Sequence, residues 1–339
     1  MAKTKKADLW RLVTDYFDVY MKDVRRMSKG TIETYRYGLY SFVSYMSNQR
    51  KVEVSLLSLD HFTRDNVKEF MAHMHLVEEL ADTTCNLRLS ILKSFLRYCA
   101  DEYVPLYATY QSIRNIPKAR EEQKPVEYLS EKALKTLLSV PDTSTRLGRR
   151  DSMIMIFMYD VACRVQELVD VQLGDLHLEV SPCYVVLTGK GNKTRLIPLM
   201  EKTVAHLNAY IHMFHATKNP KRPLFYAMKR NGPSKLSTDA IAVLLKKHGE
   251  KAIKTCVEIP PGIHPHLMRT TRAMHLYLNG MPLEQVAKFL GHADSSTISH
   301  YATANLAMIT AAVEKANPNV VGTSKDWEDP QILKRLMGL

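Results

Sequence analysis

The sequence predicts a mainly helical protein of two domains, with a small antiparallel sheet confined to the second. Three observations carry this expectation. Apolar residues recur at helical spacing through most of the first third of the 339 residues. A charged stretch without periodicity, residues 114–127 with Pro117 and Pro125, reads as a linker. Beyond it, two short runs rich in strand-forming residues flank Gly189-Lys190-Gly191-Asn192, the pattern of a hairpin with a glycine-rich turn. The chain is long enough for two cores of ordinary size.

In the first domain, residues 1–113, Leu9, Leu12, Val13, Tyr16, Phe17 and Tyr20 share one face of a helix. Ser28 is placed to cap a second helix carrying Ile32, Tyr35, Leu39, Phe42, Val43 and Met46. Thr63 opens a third through Phe70 and Met74. Thr83 or Thr84 opens a fourth, with Leu87, Ile91, Leu92, Phe95 and Tyr98 inward. Four helices on short joints make a compact bundle.

The second domain, residues 128–316, begins with a helix capped by Ser130, and another helix spans about 147–161, stopping near Cys163-Arg164. Strands are expected at 184–187 and 195–199. From Lys202 onward the pattern is helical, broken at 219–223, 260–262 and 280–282. In the tail, 317–339, Ile332, Leu333, Leu336 and Met337 recur at helical spacing after Asp329-Pro330. Such a short helix needs a surface to cover.

The net charge of +12 points to a polyanionic partner, and both halves of the chain are basic. Arg36, Arg88, Lys93, Lys193 and Arg195 are candidates for gripping phosphate. No apolar run approaches a membrane span, and none follows the basic start Met1–Lys6, so a cytoplasmic protein with no membrane partner is expected. The five cysteines are scattered without a C-x-x-C pair, which argues against a zinc site or a disulfide framework. The pairs His212/His215 and His264/His266 lack further ligands at useful spacing. No metal and no cofactor are expected.

The chemistry is carried by an ordered set. Arg164 follows an apolar helix in Arg164-Val165-Gln166-Glu167-Leu168, and Lys190 stands at the hairpin tip. In His266-Leu267-Met268-Arg269 the His and Arg share a helix face and can reach one anion. His61-Phe62-Thr63-Arg64 has the same form without such a setting. Gly291-His292 closes another apolar helix, and Tyr301 lies nine residues beyond His292.

Together these residues resemble the tyrosine recombinase (phage integrase-like) family, especially its Xer-like branch. Members carry arginine in R-x-x-E-L, a hairpin lysine, H-x-x-R, G-H and a later tyrosine. The resemblance covers about 129–312, and more loosely the first domain, where Asn86–Lys93 looks like the last helix of the family's core-binding domain. Thr270 departs from the pattern, standing where the family usually has histidine. That position is not among those that act on the phosphate.

The residue types fit metal-free phosphodiester exchange. Tyr301 is the nucleophile, Arg164 and Arg269 are permanently charged forks for the phosphate, and His266 and His292 orient it and exchange protons. Lys190 is the acid for the leaving oxygen, the role the resemblance also implies. Glu167 reads as a buttress. The resemblance further implies a helical core-binding domain and a catalytic domain closing as a C-shaped clamp on double-stranded DNA. It implies four protomers acting on two recombination sites, with the tail helix docked on a neighbouring protomer, against the alternative of docking on its own domain. Type IB topoisomerase-like relaxation and a non-catalytic DNA-binding protein of the same fold are the rival readings.

Overall fold

The computed structural model describes residues 8–121, 126–189, 193–229 and 232–291. Of the residues singled out above, Met1–Lys6, Pro125, Lys190, Gly191, Asn192, His292, Tyr301 and the whole tail lie outside the described residues. The chain divides into two compact units, 1–123 and 124–339.

The first unit is a helical bundle. Helix α1 (Leu9–Thr14) starts on Asp8, whose side chain accepts from the Trp10 amide, and passes into a π-helical turn, Asp15–Val24. Ser28 and Thr63 cap α2 (Lys29–Asn48) and α3 (Arg64–Leu76) by accepting from Thr31 and Asn66 amides, as their sequence positions predict. Helix α4 (Asp82–Glu102) opens on Ala81, which provides no side-chain cap, two residues before Thr83 and three before Thr84, the expected openers. A fifth helix, α5 (Tyr107–Arg114), was not foreseen, and it packs on α4.

The bundle core is aromatic: Phe42, Phe62, Phe70 and Phe95 are buried together. Gly38 lets α2 cross α4 closely, because a Cβ there would come within 2.5 Å of Ile91 Cδ1. The start of the expected linker stretch belongs to this unit. Ile116 is buried in its core, and Asn86 donates to Ala119 O at 2.9 Å while accepting from the Ala119 amide at 2.8 Å.

In the second unit, α6 (Glu131–Ser139) is capped by Ser130, which accepts from the Ala133 amide. Helix α7 (Arg146–Val161) is central. Met153, Ile154, Met155, Phe157 and Met158 are all buried, so the helix is enclosed on nearly every side. Helix α8 (Val165–Asp170) follows, then a three-stranded antiparallel sheet of β1 (Leu176–His177), β2 (Tyr184–Thr188) and β3 (Thr194–Pro198) in sequence order. The predicted hairpin is thus the β2–β3 pair, with Val185 facing Ile197 and Leu187 facing Arg195.

After α9 (Glu201–Phe214) the expectation of helix alone is corrected. A second hairpin, β4 (Tyr226–Lys229) and β5 (Gly232–Lys235), interrupts it. It was not legible because β5 contains Gly232 and Pro233, residues that strands disfavour. Tertiary contacts secure its start: Tyr226 Oη donates to Phe214 O, while Tyr210 Oη and His215 Nε2 both donate to Leu224 O. His215 is therefore a hydrogen-bonded core histidine.

Helices α10 (Thr238–Ala252), α11 (Pro265–Leu278) and α12 (Leu283–Leu290) complete the described part. Helix α11 anchors the opening of the unit. Thr271 Oγ1 accepts from the Leu129 amide at 3.0 Å, and His275 Nε2 donates to Leu129 O at 2.9 Å. Tyr159 Oη donates to His275 Nδ1, tying the same histidine to α7. Among the described residues no helix is long and apolar enough to cross a membrane, and no group of three or more His, Cys, Asp or Glu is placed to hold a metal. All five cysteines are free thiols, four of them buried.

Candidate active site

The site forms where α7 ends. Ala162 takes a left-handed conformation (φ +46°), a shape that costs a non-glycine residue roughly 1–2 kcal/mol. The turn sends the chain through buried Cys163 to Arg164, which stands extended at the N-terminus of α8. The strained carbonyl is not idle: Arg269 Nη1 donates to Ala162 O at 2.6 Å.

Arg269 comes from the first turns of α11. Pro265 occupies the opening of that helix and His264 caps it, accepting from the Leu267 amide. Arg269 is 2% exposed, and its second Nη donates to Leu290 O at 2.5 Å. One guanidinium therefore joins the end of α7 to the end of α12. Burial, then the charges of Arg164 and Arg195, push its pKa down to about 10, which still leaves it cationic at neutral pH.

Arg164 reaches the same turn from the other side. Its Nη2 donates to Gly291 O at 3.3 Å, and its Nη1 donates to Glu167 Oε1 at 3.0 Å. The Arg164 side chain is 41% exposed, so its remaining donors can meet a ligand. Gly291 ends α12 at φ +65°, the left-handed cap that glycine accepts without strain, and the next residue in the chain is His292.

Glu167 lies beneath this pair with its side chain 3% exposed. It accepts from the Arg164 amide at 2.7 Å and from both Nη atoms of Arg195, at 2.8 and 2.7 Å. Burial works to raise its pKa, but the hydrogen bonds from Arg195 and from the Arg164 amide outweigh it and hold the carboxyl below the usual range. Arg164 and Arg195 thus share one buried carboxylate, and with the Arg269 guanidinium on the Ala162 and Leu290 carbonyls this leaves a surplus of positive charge where Arg164 meets solvent.

His266 lies one helical turn before Arg269 and is exposed. Desolvation first, then the charges of Arg269, His264 and Arg164, push its pKa below the ordinary imidazole value. It is mainly neutral near pH 7 and able to accept a proton. Thr270, where the family pattern has histidine, is buried on the same helix. Cys163 beside the site is pushed up to about 12 by burial, so it is not a nucleophile at neutral pH.

The structure therefore brings together Arg164, Glu167, His266 and Arg269, as the sequence order suggested. It also brings in Arg195, but as an inward-facing partner of Glu167. Strand alternation was the available signal: Arg195 lies two residues before buried Ile197, so both belong to the inner face. Lys193, two residues earlier still, is exposed near the hairpin turn.

The first-unit cations divide. Arg36 is on the surface, paired with Asp18 at 3.2 Å and lying over the Phe17 ring. Arg88 and Lys93 face inward. Arg88 is 8% exposed and bonds Glu78 at 3.3 Å; Lys93 donates to Ile116 O at 2.5 Å. Both sit on α4, which is buried on several faces, and burial pushes the Lys93 pKa down. His61, from the look-alike motif, closes a turn by accepting from the Ser58 amide at 3.1 Å.

The profile of the phage integrase family matches residues 127–308, and that of the phage integrase N-terminal SAM-like domain matches 14–103. The tyrosine recombinase XerD of Listeria innocua is 30% identical over 86% of this chain and 93% of its own length. The tyrosine recombinase XerC of Chlamydia caviae is 25% identical over 88% and 96%. Among solved structures, the XerH site-specific recombinase bound to palindromic difH substrate superposes with a TM-score of 0.65 at 20% identity, covering 89% of this chain and 84% of that one. A lambda integrase tetramer bound to a Holliday junction gives 0.66 at 15% identity, over 88% and 78%. The last two show a shared fold.

Proposed function

This chain belongs to the phage integrase family, as a site-specific tyrosine recombinase of its Xer-like branch, and from that premise we propose how its own residues break and rejoin DNA. Arg164 and Arg269 hold the scissile phosphate. The Tyr301 phenol attacks phosphorus, its proton passing to neutral His266, and the bond to the 5′-oxygen breaks as Lys190 protonates that oxygen. His292, directly after the Gly291 turn that both arginines grip, hydrogen-bonds the phosphate. The products are a 3′-phosphotyrosine and a free 5′-hydroxyl, and the reverse step on a partner strand completes exchange.

The observation that supports this reading is the pair of arginines converging on the Leu290–Gly291 turn, one buried and one open to solvent. Arg36 and Lys193, on the surface of their units, contact DNA backbone. Two units clamped on duplex DNA, four protomers on two sites, a tail bridging neighbours and a cytoplasmic location belong to the same proposal.

The test is covalent adduct formation on a nicked suicide substrate. The adduct is expected to form in excess EDTA and without nucleotide, because resident cations supply the charge that metals supply elsewhere. Binding is expected to weaken steeply with salt as counterions are released. A strict magnesium requirement for cleavage contradicts the proposal. Relaxation of supercoiled DNA with no recombination between two sites would instead assign a topoisomerase.

Lys190→Ala is expected to slow cleavage about 100-fold or more while leaving affinity nearly unchanged, since a general acid acts in the transition state. A 5′-bridging phosphorothiolate, whose sulfur leaves without protonation, should restore much of the rate. Absence of rescue moves the acid to another residue, Lys193 being next along the hairpin.

A further inference from the structure

A buried carboxylate beside two phosphate-binding arginines is an awkward neighbour. Left to itself, Glu167 would draw the Arg164 fork inward and cancel the charge that a phosphate needs. Arg195 occupies both carboxylate oxygens through a two-pronged contact at 2.8 and 2.7 Å. Its side chain is 13% exposed, and its Nε is buried without a hydrogen-bond partner among the described residues.

The surroundings are shaped for this pair. A Cβ on Gly291 would come within 3.0 Å of Arg195 Cδ and 3.2 Å of its Nη1. A Cβ on Gly189 would come within 2.9 Å of Glu167 Oε1. Glycines thus flank the pair on two sides, and β3, the start of α8 and the end of α12 meet at one guanidinium. These are the segments that lead to Lys190, Arg164 and His292.

We infer that Arg195 is a positioning residue for DNA cleavage: by saturating Glu167 it holds Arg164 against the Gly291 turn and leaves the outward donors of Arg164 for the phosphate. Arg195 acts from inside, without touching DNA. The inference rests on the function proposed above and adds to it a residue that works through two others.

The experiment measures single-turnover adduct formation by the full chain on a nicked suicide substrate, with DNA affinity and Tm on the same preparations. Arg195→Gln is expected to slow adduct formation about 100-fold while affinity stays within about threefold. Arg195→Lys, which keeps the charge but has no fork, remains at least about tenfold slow. Arg195→Gln combined with Glu167→Gln is no slower than the slower single variant, because a neutral pair leaves no buried charge unpaired.

Wild-type rate in Arg195→Gln, or losses that multiply in the double variant, overturn the inference. So does weakened binding with a salt slope smaller by about one, the mark of a direct phosphate contact. If Arg195→Gln does not fold, Arg195→Lys decides: a full rate overturns the inference and a slow rate at unchanged affinity supports it. A wild-type chain that forms no adduct defeats the proposed function itself, whereas these variant results in an active enzyme defeat only the role of Arg195.

Discussion

Tyr301→Phe is expected to bind its DNA site within about threefold of the wild-type affinity and to form no covalent adduct at all. The substitution removes one oxygen and leaves the ring, so packing and phosphate contacts are retained while the nucleophile is lost. The measurement is a denaturing gel of protein mixed with a nicked suicide substrate. A denaturant-resistant band from the Phe variant would remove Tyr301 from the mechanism. Loss of binding would instead give the phenol a positioning role.

Arg269→Lys is expected to be nearly as severe. The guanidinium spans two carbonyls, Ala162 O and Leu290 O, which a single ammonium cannot reach together. One buried carbonyl is left unsatisfied, a cost of about 1–3 kcal/mol readable as a lowered Tm without DNA. Cleavage is expected to fall about 100- to 1,000-fold, the loss typical of one oxyanion-stabilising group.

The residual activity of Arg269→Lys should also depend on pH. Burial depresses a lysine pKa far more readily than it deprotonates arginine, so the positive charge is present at low pH and lost as pH rises through the shifted value. Cleavage by the variant is therefore expected to decline on the alkaline side relative to wild type. Wild-type rate, or a profile parallel to wild type, would show that Arg269 does not supply charge to the phosphate.

Much of the local structure was legible because its causes are local. Ser28, Thr63 and Ser130 announce their helices by side-chain acceptors that reach amides three residues on. The β2–β3 hairpin is legible from two apolar runs around a glycine-rich turn. The cap of α4 lies two or three residues before the expected Thr83 or Thr84 because Ala81 offers no such signal. The fifth helix and the β4–β5 hairpin were missed because they are secured by neighbours. Tyr226, for example, is held by its bond to Phe214 O.

What the sequence determined alone is the inventory and order of the candidate residues: two arginines, two histidines, a hairpin lysine and a tyrosine, each in a recognisable local setting. Helical spacing placed His266 and Arg269 on one face before any tertiary information, since three residues make nearly one turn. The tertiary structure decided which cations keep donors toward solvent and which face the protein. Arg164 and Arg195 are the same residue type, both beside Glu167. Yet one keeps donors toward solvent while the other is turned inward by strand alternation and shut in against Gly291. The physical reason is that a carboxylate can be satisfied by any cation brought within hydrogen-bond reach. Partners 28 residues apart along the chain, as Glu167 and Arg195 are, meet only because the tertiary fold brings the start of α8 beside β3.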